Sequence, residues 1–296
     1  MNATLQHTVA RSRWLALVPL LIFALTLPAS PALAQDSANQ AKIEELKTTF
    51  AAAMKAAKQG NADEAYPKLE QSLKLAQEAE QSNAASQIED RMVRLAKKWG
   101  NESLKNKEYD AALRHFQKGA EYAPTEAYMV YGMGLAQINQ DGQMEAALES
   151  LQKAITLGEE NGDRKTADLA TERIRQEFVA RASEALNVQN PGPAQAEEAL
   201  AALDEMREYV EPNAKSMFFR ATALYAQGNH EQAVSVAQEG LDMHRGSRTS
   251  EAKYHFVMAE AQMKQGDTSS ACSTFQQAAF GDYKARAEHY LENECN

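Results

Sequence analysis

The side chains with the widest chemical repertoire here are six histidines and two cysteines, and their spacing gives little support to catalysis. His7, His115, His230, His244, His255 and His289 form no His-Glu-x-x-His pair. No trio of His, Asp or Glu stands at ligand spacing and there is no Cys-x-x-Cys, so no metal site is expected. Gly132-Met133-Gly134 has two glycines of a phosphate-cradling loop but lacks the third and a preceding strand. Close helix packing at Gly134 is its expected use. No Gly-x-Ser-x-Gly elbow or phosphate loop ending in Gly-Lys-Ser/Thr occurs. Asn101-Glu102-Ser103 fits the glycosylation acceptor in form, but inside an expected helix. Carboxylates are numerous and none is singled out as a pair; they are expected to be solvated helix faces. The chain is therefore expected to be no enzyme, with no catalytic residue and no cofactor.

Cys272 and Cys295 are the only cysteines. In an exported protein, an even and minimal count suggests a disulfide. Closing that loop contributes roughly 3 kcal/mol in the chain-entropy description.

Export is indicated by residues 1–34. They hold Arg11, Arg13 and no acid, ahead of an apolar run from Trp14 to Leu27. At about 1.5 Å per residue this run falls well short of a hydrocarbon core of roughly 30 Å, so stable membrane insertion is not expected. Ala32-Leu33-Ala34 fits a small-x-small cleavage site, which predicts removal after Ala34 and a periplasmic or secreted product. Residues 35–40 are expected to be a disordered stub. A formal charge of -10 argues against nucleic acid as partner, because phosphate binding needs a basic face.

The elements that carry these residues are written in repeats. Eight prolines and fourteen glycines in 296 residues, with Ala, Leu, Glu, Gln and Lys abundant, favour helix throughout. Taking Ala112 as an origin, Phe116 lies four on, Gly119 seven on, Pro124 twelve on and Gly100 twelve before. The pattern returns around Ala147 (Gly142, Leu151, Ala154) and Ala271 (Ala259, Gly266, Phe275, Ala278). Ala233 has Ala221, Gly228, Ala237 and Gly240, and Ala65 has Ala53, Gly60, Leu69 and Ser72. Around Ala199 only the second half is clear, with Leu203, Met206 and a late Pro212. Positions four and seven apart share a helical face, and a Gly five before the origin suits a tight turn between two helices.

In this order of small, Gly, Ala, aromatic, small and Pro positions the chain resembles the tetratricopeptide repeat (TPR) family. Gly100, Ala112, Phe116, Gly119 and Pro124 give the best single match, and the unit around Ala271 the next. The resemblance covers roughly residues 41–280, with Asn190-Pro191-Gly192-Pro193 interrupting the fourth unit after a long first helix from about Arg164 to Leu186. It implies an all-α fold, a right-handed superhelix of about six hairpins, with a capping helix over residues 281–296. Stacking lets each hairpin bury a face that it cannot bury alone.

In such a stack the first helices line a concave groove, and the residues facing it follow from the offsets. The second unit presents Arg94, Lys97, Asn101 and Lys105, and the third Tyr128, Tyr131 and Ile138. The fifth presents Lys215, Phe218 and Tyr225, and the sixth Lys253, Phe256, Glu260 and Met263. Cations beside aromatics suit an extended peptide or a helix with acidic groups. The alternative use of Phe218, Phe256 and Tyr131 is core between hairpins. Lys97 and Asn101 are similar to the start of the carboxylate clamp in chaperone-binding TPR domains, but Leu135 or Ala136 stands where the next Asn belongs. That specific function is not implied. The expected function is a non-catalytic scaffold binding other cell-envelope proteins or peptide segments. A small-molecule or glycan-binding module, and an accessory factor for an envelope enzyme, are the alternatives.

Overall fold

The computed structural model of the chain describes residues 31–295, with side chains from Ser37 onward. Among these residues there are helices and turns and no strand. Six antiparallel hairpins follow one another. They are α1 (Pro31–Lys58) with α2 (Ala62–Glu78), α3 (Ser82–Lys105) with α4 (Tyr109–Tyr122), and α5 (Ala127–Ile138) with α6 (Met144–Asn161). Next come α7 (Arg164–Ala185) with α8 (Pro193–Met206), α9 (Ala214–Gln227) with α10 (His230–Met243), and α11 (Arg248–Lys264) with α12 (Thr268–Ala278). A 3-10 turn at Gly281–Tyr283 leads into α13 (Lys284–Asn293). Each helix packs on the next in sequence, giving the TPR-like hairpin stack.

The repeat positions explain the packing. Ala65, Ala112, Ala147, Ala199, Ala233 and Ala271 are all fully buried, as are Leu69, Phe116, Leu151 and Phe275 four residues on. A methyl group is the largest side chain that lets paired helices approach there, and the large residue then fills the space towards the neighbour. Phe116 shows how tight this joint is. A Cβ on Gly100 of its own hairpin would sit 2.7 Å from the ring, and one on Gly132 of the next hairpin 2.5 Å away. Two glycines thus leave a slot that the ring occupies. Gly134 in turn lies against Leu151, so both glycines of the Gly-Met-Gly sequence serve packing.

The stack has an inner and an outer row. The backbones of α3, α5, α7, α9 and α11 approach their second neighbours, while the even-numbered helices do not come comparably close. Where α2 and α4 are linked, long side chains do it: Lys118 donates to Glu70 at 2.9 Å and Tyr122 to the same carboxylate at 3.3 Å. Clefts of about 300 Å³ between α4 and α6 and about 450 Å³ between α10 and α12 open on this outer side. A stack closer on one side than on the other is curved, with odd helices on the concave face.

Both ends differ in detail from expectation. α1 begins at Pro31 and runs through residues 35–40, where a disordered stub is expected; from Ala32 to Lys58 there is no Gly or Pro to stop it. The cleavable leader expected over residues 1–34 falls almost wholly outside the described residues. At the other end, Ala287 is buried and Tyr283, Tyr290 and Leu291 pack on Phe256 and Phe275. Cys272 on α12 is bonded to Cys295, with Cα atoms 5.7 Å apart, tying the covering helix to the last hairpin.

Candidate binding groove

The groove residues expected from the sequence all lie on odd-numbered helices, the inner row. Lys97, Asn101, Tyr128 and Tyr131 form one cluster on α3 and α5, and Phe218, Tyr225, Lys253 and Phe256 another on α9 and α11.

In the first cluster, the Lys97 ammonium sits 3.8 Å above the centre of the Tyr128 ring. Glu126, just before α5, lies 3.8 Å from the same ammonium. The Tyr128 hydroxyl donates to Asn101 Oδ1 at 3.0 Å, and its ring meets Tyr131 edge to face at 5.9 Å. Lys97, Asn101, Tyr128 and Tyr131 are therefore one contiguous surface. Arg94 is set apart, exposed and 3.9 Å from Asp90 of its own helix. Lys105 stands exposed in the last turn of α3, apart from the cluster. Burial raises the Tyr131 hydroxyl pKa, Tyr128 adds to this, and Arg173 on α7 opposes it. Arg173 thus borders the cluster and is a residue that the repeat offsets miss, because the fourth unit's first half follows no clear pattern.

In the second cluster, the Lys253 ammonium lies 4.9 Å from the centre of Phe218 and 5.0 Å from that of Tyr254. Burial, and then the like charge of exposed Lys215, hold its pKa below the ordinary lysine value. Phe218 and Tyr225 are half-buried and line a cleft of about 420 Å³. Phe256 is only 2% exposed and belongs to the core with Phe275, so it forms the cleft floor rather than a free arm. Burial pushes the Tyr225 hydroxyl up to about 12.

The cap completes this cleft. The Arg286 guanidinium lies 4.1 Å over the Phe256 ring and reaches Glu260 Oε1 at 3.5 Å. Tyr290 donates to the same oxygen at 3.3 Å. Burial raises the Glu260 pKa, against the pull of Arg286. Asn190 and Pro191, from the α7–α8 connection, close another side. These cap and loop residues were not expected at the site. A helix expected only to cover an apolar end gave no reason to look for a cation on its exposed face.

No family profile and no curated protein matches the chain. Among solved structures the chain is similar to the MamA protein, at 15% identity over 69% of this chain and 97% of that one, with a TM-score of 0.38.

Proposed function

We propose that this protein is an exported, non-catalytic scaffold of the cell envelope that holds segments of partner proteins on its concave face. The observation that carries this is a local arrangement found twice on the inner row. An ammonium lies over an aromatic ring at Lys97–Tyr128, and again at Lys253–Phe218. Each pair offers a cation and an apolar face to the same incoming chain, the combination that recognises an acidic, partly apolar segment. Helices locked by buried alanines hold these groups in place before a partner arrives, which lowers the entropy lost on binding. Export is supported by the leader-like residues 1–34 and by the Cys272–Cys295 bond. Among the described residues no helix is long and apolar enough to cross a membrane.

Site-specific photo-crosslinking tests the groove. Probes at Arg94, Tyr131 and Lys215 on the inner row are expected to capture discrete partners from envelope extracts, and probes at Lys153 and Gln238 on the outer row are not. Lys97→Glu with Lys253→Glu is expected to abolish capture while leaving the circular dichroism spectrum unchanged. Equal capture from both rows, or capture that survives the double substitution, would dismiss the groove.

A further inference from the structure

The cleft at the capped end differs from the rest of the inner row in three ways. First, Lys253 has no carboxylate partner among the described residues; the charge felt most strongly at its ammonium is that of another cation, Lys215. In a chain with 41 acidic residues against 31 basic ones, two lysines whose charges act on one another mark a local excess of positive charge. Second, the other cation of the cleft, Arg286, is already engaged by Glu260 and the Phe256 ring. One positive group is thus left for a ligand. Third, the cleft is closed by the cap on one side and by Asn190 and Pro191 on another. Its volume of about 420 Å³ is in the range of roughly 300–1,000 Å³ typical of small-molecule sites.

We infer that this cleft binds a compact organic acid, with one carboxylate on Lys253 and an aromatic or branched apolar body against Phe218 and Tyr225. A half-buried ammonium favours an anion because charge-assisted bonds in a partly dry site are stronger than in water. The cap supplies the wall opposite α9, so the disulfide that pins α13 also keeps the cleft in shape. The cleft shares Lys253 and Phe218 with the groove, so a bound acid competes with a partner segment at the capped end and leaves the α3–α5 cluster free.

Titration calorimetry of the leader-free, oxidised protein with 4-phenylbutyrate tests this, beside neutral 4-phenylbutyramide and a tetrapeptide ending in Ala-Phe with a free carboxylate. One site for 4-phenylbutyrate is expected, with the amide bound about tenfold or more weakly. Lys253→Met is expected to lose a similar factor and Lys253→Arg to keep most of the affinity, while Lys153→Glu on the outer row changes nothing. Absence of 4-phenylbutyrate binding, equal affinity for the amide, or unaltered binding by Lys253→Met would overturn the assignment. Binding of the tetrapeptide alone would also overturn it, and would give the cleft to a protein terminus. Failure here with inner-row crosslinking intact removes only the cleft; lost crosslinking with acid binding intact removes only the groove.

Discussion

Phe116 sits between a glycine of its own hairpin and a glycine of the next, so its ring is the part that fixes how the second and third hairpins meet. Gly132→Ala places a methyl group where the ring already is and is expected to cost about 1–3 kcal/mol in chemical denaturation, by overpacking. Combining it with Phe116→Leu is expected to cost less than the sum of the single changes, because the smaller side chain vacates the contested space. Simple additivity would show that the slot is not shared. His115 gives a second expectation at this scale. It lies beside Tyr66 and Trp99, and burial, followed by Arg114, holds its pKa below the ordinary value. Burial does the same to His255. A base with a depressed folded pKa takes up its proton first in the unfolded chain. Its contribution is therefore intact above the ordinary histidine value of about 6.5 and is lost as pH falls from there through the folded value. Stability is expected to drop over that window, and more shallowly in His115→Gln. An unchanged slope in the variant would mean that His115 stays solvated.

At the scale of the helix, the Cys272–Cys295 bond holds α13 on the last hairpin, where Tyr290 stacks on Phe275 with ring centres 4.3 Å apart. Cys272→Ser is expected to lower the stability of oxidised protein by roughly 3 kcal/mol, and a reductant to bring the wild type to the same level. Amide exchange in α13 rises first if the loss is local. The helices were largely legible in the sequence because the repeat positions have few permissible side chains. Ala65, Ala112, Ala147, Ala199, Ala233 and Ala271 are all buried, and Gly142 and Gly228 do take the left-handed turn conformation expected of them. The unit around Ala112 has the same turn with Lys107 at φ 63°, a position that composition alone does not reveal. The α3–α5 cluster was legible for a similar reason, since residues at fixed offsets along successive helices must share a face. The cleft was not, because Arg286, Tyr283 and Pro191 reach it from segments that follow no repeat.

For the whole molecule, stability is distributed along the stack, since each hairpin rests chiefly on its neighbours and the ends must be covered. A chain stopped at Phe280 leaves Phe256 and Phe275 without the side chains of α13. Such a chain is expected to self-associate at concentrations where the full-length protein sediments as a single slower species. A truncated chain that stays as dispersed as the parent would mean the end needs no cover.

The unequal spacing of the two helix rows has a mechanical consequence. Touching odd helices act as a stop against tighter bending, while the gaps between α4 and α6 and between α10 and α12 let the outer side give. The arc therefore springs open more easily than it winds up, and the distance between its two ends is the quantity a gripped strand would set.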